Sequence, residues 1–136
     1  ILPFLLLIVN FGFAQNFKCS DVKTGNFLDP KDYDVKIIRT DSTQKEINLK
    51  NGAEVLEKVE WIDSCSYKLT HISNNEIWEK QYPNLPNDTI IVEIKQVTKE
   101  FYLIKSYFEN KKGKPYFTKV APKANDPAIN HTASCA

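Results

Sequence analysis

The chain contains few of the residues that catalytic, metal and phosphate sites require. Its 136 residues include two histidines, three cysteines and four glycines. His131 falls in a C-terminal segment without periodicity, and His71 stands alone in the rest of the sequence. The sequence has no His/Cys cluster with metal-ligand spacing, no glycine-rich phosphate loop and no local signature of a Ser/His/Asp or Cys/His catalytic set. We therefore expect a protein that is not an enzyme and that holds no metal or cofactor.

An excess of charge of either sign is also absent. Lysine and arginine total 18 residues, aspartate and glutamate total 17, and the two signs are interspersed, which leaves a net charge of +1. A nucleic-acid-binding surface needs a basic patch, so no nucleic-acid partner is expected. The length fits one domain that can bury a core of modest size.

The most apolar stretch lies at the start of the sequence. Residues 1–9 form an almost unbroken apolar run, and the small residues Gly12 and Ala14 lie at positions −3 and −1 of a cleavage site before Gln15. This pattern is typical of a secretory signal peptide, predicted here over residues 1–14. The run is shorter than the roughly 20 apolar residues that cross a bilayer. We therefore expect an exported protein whose mature chain has no membrane span.

Export places a chain in an oxidising compartment, which favours disulfide formation. Cys19 and Cys65 both abut predicted strands, and they are the pair that we expect to be bridged. The alternative is that both are buried free thiols. With a Cys19–Cys65 bridge, Cys135 is left unpaired in the C-terminal segment.

Alternating apolar and polar residues, with frequent turn residues, predict an all-β domain over residues 15–120. The predicted strands cover residues 19–28, 33–40, 44–49, a hairpin at 59–69, 88–97, 100–108 and 114–120. One short helix is predicted at 76–82, capped by Asn75. Because nearly all the strands are joined by turns of about two to five residues, neighbouring strands must be antiparallel. Residues 121–136 lack periodicity and are predicted to form a disordered tail.

We predict an antiparallel meander of seven or eight strands that curls into a lipocalin-like barrel or half-barrel, because closure removes exposed strand edges. A two-sheet sandwich is the alternative. The hairpin at 59–69 is predicted to lie at the centre of the core. A three-residue loop would place Trp61 opposite Cys65 and Val59 opposite Tyr67, which keeps one face apolar. A two-residue turn would mix the two faces, so burial favours the longer loop.

The most notable polar group is formed by Arg39, Gln44 and Glu46. Whether the loop between the second and third predicted strands has two or four residues, Arg39 falls opposite Gln44, and Glu46 shares their face. If that face points into a barrel, a buried Arg39–Glu46 pair is able to grip the polar head of a ligand. If it points outward, the group is an ordinary cross-strand set. The outward orientation is favoured, although Val35 and Ile37 oppose it, because the other face carries aliphatic side chains: Ile38, Ile47 and Leu49.

Aromatic residues are frequent in the predicted strands and can line a cavity or simply fill the core. They are Trp61, Tyr67, Trp78, Tyr82, Phe101, Tyr102, Tyr107, Phe108, Tyr116 and Phe117. Trp78 and Tyr82 are four residues apart in the predicted helix, where they can cover a barrel mouth or fasten the helix to the sheet. The candidate ligand-binding residues are Trp61, Tyr67, Trp78 and Tyr82 together with the Arg39 group.

Three motifs and the leader resemble a known family. The motifs are Gly25-x-Phe27, Ile38-Arg39 with Gln44-x-Glu46, and Trp61-x-x-x-Cys65-x-Tyr67-x-Leu69. They are similar to small exported proteins of Gram-negative bacteria, of unassigned function, that automated transfer often labels "DNA topoisomerase IV". A topoisomerase is several times longer and needs an acidic metal cluster and a basic DNA channel, so that label carries no weight. A weaker likeness, on Gly25-x-Phe27, is to lipocalin-like barrels.

The sequence therefore predicts a periplasmic or extracellular, non-enzymatic β-barrel that binds a small apolar or amphipathic ligand. The alternative is an interaction or structural module of the cell envelope, whose barrel has a solid core and whose outer face meets another protein. The two readings differ in one property, because only the first requires a cavity, of about 300 Å³ or more.

Overall fold

The computed structural model describes residues 16–29, 34–85 and 87–122. The predicted signal peptide at 1–14 and residues 123–136 of the predicted tail lie outside these ranges. A short 3₁₀ helix spans Cys19–Val22 and one α-helix, α1, spans Glu76–Gln81. The strands are β1 (Gly25–Leu28), β2 (Val35–Arg39), β3 (Thr43–Asn48), β4 (Glu54–Asp63), β5 (Ser66–Asn74), β6 (Ile90–Val97), β7 (Tyr102–Phe108) and β8 (Tyr116–Pro122).

The strands form a closed antiparallel barrel in sequential order. Each strand pairs with the next along the chain, and β8 pairs with β1 to close the sheet. The predicted meander barrel is confirmed, and the sandwich alternative is wrong because one continuous sheet contains all eight strands. Short connections permit only antiparallel neighbours, and closure leaves no free edge. The last strand reaches Pro122, two residues beyond the boundary drawn from the sequence.

The register of the β4–β5 hairpin differs from both loops considered in the sequence analysis. Trp61 lies opposite Tyr67 and Val59 lies opposite Leu69, with an irregularity between Trp61 and Asp63. Asp63 accepts a hydrogen bond from the backbone N–H of Cys65 at 2.9 Å, which tightens the turn. The extra residue before the turn is absorbed as a bulge. This register keeps Val59, Trp61, Tyr67 and Leu69 on one inward face.

The segment predicted as the beginning of the first strand instead forms the 3₁₀ helix. The backbone N–H of Lys18 donates to the Asp21 carboxylate at 2.7 Å, and the N–H of Asp21 donates to the carbonyl of Lys18 at 3.0 Å. These bonds favour a tight turn over an extended strand. Val22 is buried at the end of the helix, where it closes one end of the barrel. The predicted disulfide is confirmed, because Cys19 is bonded to Cys65 in the β4–β5 turn.

The half of the barrel nearest the 3₁₀ helix, the closed end, is packed with side chains. Its buried cluster includes Val22, Phe27, Val59, Tyr67, Val92, Ile94, Tyr102 and Val120. The Phe27 and Tyr102 rings meet edge to face with centroids 5.2 Å apart. Trp61 and Tyr67 lie 4.8 Å apart by ring centroids, so the candidates Trp61 and Tyr67 both belong to this packed half. Aromatic rings in such contacts fill space and hold a defined geometry.

The predicted helix is confirmed, and its cap connects it to the barrel. The Asn75 side chain accepts hydrogen bonds from the backbone N–H groups of Trp78 at 3.0 Å and Glu54 at 3.1 Å, and donates to the carbonyl of Gly52 at 2.7 Å. One residue therefore caps α1 and ties it to the start of β4. None of the helices in the described ranges has the length and hydrophobicity that a membrane crossing requires.

Candidate functional site

The Arg39 group points into the barrel, so the favoured outward orientation was wrong. Arg39 and Gln44 are each only 3% exposed, and the register places Arg39 opposite Gln44 as expected. The aliphatic residues of the opposite face are half-buried or, for Leu49, 58% exposed. Exposed aliphatic side chains are common on folded proteins, whereas a buried arginine needs partners for its donors. The interior supplies those partners.

Each nitrogen of the Arg39 guanidinium donates to a protein group. Nε donates to Gln44 Oε1 at 2.8 Å, Nη1 to the carbonyl of Val22 at 2.8 Å, and Nη2 to the Tyr102 hydroxyl at 3.0 Å. The guanidinium also lies 4.8 Å from the centroid of the Tyr67 ring. Arg39 thus holds the 3₁₀ helix, β3 and β7 together. Because each of its three nitrogens already donates to a protein group, Arg39 holds the closed end together and is not placed to bind a ligand.

Gln44 connects Arg39 to Glu46, which lies nearer the opposite end of the barrel. Its Nε2 donates to Glu46 Oε1 at 2.9 Å, so Gln44 lies between Arg39 and Glu46 in a hydrogen-bond chain. Burial raises the pKa of Glu46, and Asp29 adds to the rise, while the Gln44 hydrogen bond and the charge of Arg39 oppose it. The direct Arg39–Glu46 pair considered for an inward-facing group is therefore replaced by a hydrogen-bond chain through the Gln44 amide.

A second carboxyl, Glu57, faces the interior next to Glu46. Glu57 lies opposite Gln44 and Glu46 lies opposite Val55, which makes the two glutamates diagonal neighbours on paired strands. Burial and the charge of Glu46 raise the pKa of Glu57 to about 8. The Oε2 atom of Glu57 is buried and has no hydrogen-bond partner. Two carboxyls this close disfavour the state in which both are charged.

Sequence reasoning missed Glu57 because it began the strand at Val59. The alternation that turns Val59 and Trp61 inward also turns Glu57 and Val55 inward, if the strand is extended four residues toward the N-terminus. Following the alternation back from Trp61 to Val55 would therefore have placed Glu57 on the inward face.

The barrel end opposite the 3₁₀ helix, the open end, contains two cavities. One has a volume of about 310 Å³ and is lined by Glu46, Trp78, Tyr82 and Tyr116 among others. The other has a volume of about 270 Å³, and Glu57 together with Trp78 and Tyr82 contributes to its lining. The linings combine residues from strands around the barrel with residues of α1. Helix α1 therefore covers the mouth of a barrel that is filled at one end and open at the other.

Trp78 and Tyr82 form the shared wall of the two cavities. Their ring centroids lie 4.5 Å apart, and Tyr82 remains 40% exposed. Of the candidate ligand-binding residues, Glu46, Trp78 and Tyr82 line the open end. Four others lie in the closed end, below the cavities: Arg39, Gln44, Trp61 and Tyr67. The structure therefore divides the candidates into a cavity set and a packing set.

Comparison of the chain with models of protein families, with curated proteins and with solved structures gave no significant match, so the geometry of the barrel is the basis for interpreting it.

Proposed function

We propose that this protein is an exported, non-enzymatic β-barrel that binds a small amphipathic molecule in the open end of its interior. The observation that carries the proposal is the contrast between the two ends of one barrel. The interior of the closed end is filled by rings and by Arg39, and the cavity of about 500 Å³ beside the Cys19–Cys65 bond is an open surface depression, whereas the open end has two more enclosed cavities of about 310 and 270 Å³. Cavities that hold small ligands begin at about 300 Å³, a volume that the larger of these two reaches.

The lining of the open end suits a molecule with an apolar part and a polar head. Trp78, Tyr82 and Phe108 offer apolar surface, while Glu46 and Glu57 offer hydrogen-bond acceptors. Ligand sites typically combine such surface with a few polar groups that set orientation. Helix α1 is short, and apart from the Asn75 cap its polar ties to the barrel are exposed side-chain hydrogen bonds from Asn51 to Gln81 and from Asn74 to Glu79, so it is suited to move aside when a ligand enters.

Export is part of the proposal and is supported by the Cys19–Cys65 bond, because disulfides persist in oxidising compartments. The predicted leader at 1–14 and the resemblance to small exported bacterial proteins point the same way.

A second candidate function is an interaction module of the cell envelope. The observation in its favour is that large apolar side chains are exposed on the barrel, including Leu49, Ile72, Leu85, Tyr116 and Phe117. A barrel filled throughout its interior would have supported the interaction module and not ligand binding. The cavities make ligand binding the better supported proposal.

The two tryptophans allow a direct test, because one lies at each end of the barrel. In Trp61→Phe, Trp78 is the only tryptophan and reports on the open end. In Trp78→Phe, Trp61 is the only tryptophan and reports on the closed end. Each variant is titrated with 1-octanol, octylamine and octanoate, and protein purified from its native host is weighed by native mass spectrometry. We expect a saturable change in Trp78 emission with at least one probe and no change in Trp61 emission.

Two results would overturn the proposal. One is the absence of any saturable Trp78 response, together with a native mass that equals the bare polypeptide. The other is an equal response from both tryptophans, which would mean that the probes bind nonspecifically or unfold the barrel.

A further inference from the structure

We propose that the open end selects organic cations, with an ammonium group held between Glu46 and Glu57 and its apolar chain against Trp78 and Tyr82. This inference rests on the proposed binding function and adds to it the charge of the ligand. It is carried by three features of the open end: the carboxyls of its lining, its buried oxygens without hydrogen-bond partners and its aromatic wall.

The ionisable groups that line the cavities are mostly carboxyls. Asp29 and Glu46 line the larger cavity, and Glu57, Glu79 and Asp88 line the smaller one. Among the described residues, no lysine or arginine lines either cavity. His71 lines the smaller cavity, and its Nε2 lies 2.8 Å from Asn74 Oδ1. A cavity with charges of one sign and low-dielectric walls attracts the opposite sign and repels its own.

Two buried side-chain oxygens in this part of the interior have no hydrogen-bond partner. Glu57 Oε2 is buried and has no partner. Thr118 is 5% exposed, and its Oγ1 is likewise buried without a partner. Thr118 lies on the inward face of β8, two residues from Tyr116, which lines the larger cavity. Buried polar atoms are normally hydrogen-bonded, and an ammonium group brings three donors and no acceptor.

The aromatic wall favours an organic cation over a metal ion. Trp78 and Tyr82 present adjacent rings to both cavities, and the face of an aromatic ring attracts an ammonium group. Within the described ranges, no group of three or more His, Cys, Asp or Glu side chains is placed to hold a metal ion. An alkylammonium ion fits both the carboxyls and the rings.

Without a ligand, the Glu57 carboxyl carries a proton at the position where the ammonium group would bind. Burial and Glu46 raise the pKa of Glu57 to about 8, so near pH 7 this carboxyl is mainly protonated. Binding of an ammonium group displaces that proton, and cation affinity therefore rises with pH between 6 and 9. The other titratable groups around the Glu46–Glu57 pair come from the barrel wall, from α1 and from the segments that follow α1. They are Asp29, Arg39, Tyr67, His71, Glu79, Tyr82, Asp88, Tyr102 and Tyr116.

The test uses three probes with the same eight-carbon chain and different heads: octylamine, 1-octanol and octanoate. Affinities are measured by Trp78 fluorescence in the Trp61→Phe background and by titration calorimetry. We expect octylammonium to bind at least tenfold more tightly than octanol, and octanoate to bind most weakly. Calorimetry at pH 7 in buffers of different ionisation enthalpy should show release of a proton with octylammonium and none with octanol.

The variants Glu57→Gln and Glu60→Gln form a matched pair. Both lie on β4 and both change a carboxyl to an amide, but Glu60 is exposed on the outer face. We expect Glu57→Gln to bring octylammonium affinity to within about threefold of octanol, to abolish proton release and to change octanol affinity by a smaller factor than octylammonium affinity. We expect Glu60→Gln to match the parent protein in all three measurements. Because Glu57 is mainly uncharged near pH 7 and glutamine is a neutral side chain of similar size, folding of the Glu57→Gln variant is not threatened.

The outcomes distinguish this inference from the proposed function. If all three probes bind with equal affinity, the cavity is a ligand site and the inference of cation selection is wrong. If octanoate binds most tightly, the inference is also wrong. If Glu57→Gln weakens all three probes equally, Glu57 shapes the cavity and does not bind the cation. If no probe binds, the proposed function fails as well.

Discussion

Replacing Arg39, the only arginine in the chain, with methionine is expected to destabilise the barrel by about 3–5 kcal/mol. Methionine has a similar length and is apolar, so the substitution removes the donors while leaving most of the volume filled. Three buried acceptors lose their donor: the Gln44 amide oxygen, the Val22 carbonyl and the Tyr102 hydroxyl.

The magnitude follows from those three acceptors. A buried acceptor without a donor costs about 1–3 kcal/mol, so the three together cost about 3–9 kcal/mol before compensating effects. Removal of the arginine also removes the cost of burying its charge, which brings the net effect down. The Tyr102 hydroxyl can turn toward another acceptor, which lowers the net effect further. Arg39→Lys, whose single ammonium group cannot reproduce the planar fork, is expected to cost about 1–3 kcal/mol.

The assay is urea unfolding followed by far-UV circular dichroism and tryptophan fluorescence, with the disulfide intact. The urea midpoints of unfolding are compared with the slope of the unfolding free energy against urea concentration held the same for all variants. Lys58→Met is the control, because Lys58 pairs with Glu60 on the exposed outer face of β4, and it is expected to change stability by less than about 0.5 kcal/mol. If Arg39→Met unfolds within about 1 kcal/mol of the parent protein, the hydrogen bonds of Arg39 do not hold the closed end together.

Three further predictions concern the open end, the disulfide and the helix cap. Since burial and Glu46 raise the pKa of Glu57 to about 8, from an ordinary value of 4.5, the stabilising contribution of this carboxyl is present below pH 4.5 and is lost as pH rises through 8. Glu57→Gln should therefore match the parent protein near pH 4 and exceed its stability by about 2–4 kcal/mol at pH 9, measured by urea unfolding across this range. Loss of the Cys19–Cys65 bond, which joins residues 46 positions apart, should lower the free energy of unfolding by about 3–4 kcal/mol, measured with and without reductant. Asn75→Ala removes three hydrogen bonds and should destabilise α1 by about 1–3 kcal/mol, seen as faster hydrogen exchange in the helix and a red shift of Trp78 emission.

Each of these predictions has an outcome that would contradict it. Parallel stability–pH curves for Glu57→Gln and the parent protein would show that Glu57 titrates normally. An unchanged unfolding midpoint after reduction would show that the bond does not restrict the unfolded chain. Faster exchange across the whole barrel in Asn75→Ala would show that the cap supports the sheet as well as α1.

Much of the architecture can be predicted from local sequence patterns. Alternation in the strand that ends at Val97 and tight turns between neighbours led to the antiparallel barrel, because short connections permit no other pairing. The helix after Asn75 followed from cap chemistry, and the Cys19–Cys65 bond followed from the placement of the cysteines beside predicted strands. The pairing of Arg39 with Gln44 was also predicted, since register in a hairpin depends on its own turn.

The bulge and the 3₁₀ helix were not predicted. Both depend on single carboxylates, Asp63 and Asp21, that accept backbone hydrogen bonds within their own turns. Such a hydrogen bond competes with extended structure, and the turn forms only if its apolar residues can also pack in the core. Val22 does pack there, in the closed end of the barrel.

The sequence by itself determined that neighbouring strands are antiparallel and where the helix lies, because both depend on alternation, turn length or neighbouring residues. It favoured a barrel and the Cys19–Cys65 bond but left their alternatives open, because closure of β8 on β1 and a bond across 46 positions are long-range contacts. It also determined that Arg39, Gln44 and Glu46 share a face. Only the tertiary structure decided that this face points inward, because the partners of Arg39 are a carbonyl 17 residues away and a hydroxyl 63 residues away. Periodicity specifies which side chains lie together, and only the folded barrel brings distant donors and acceptors into contact.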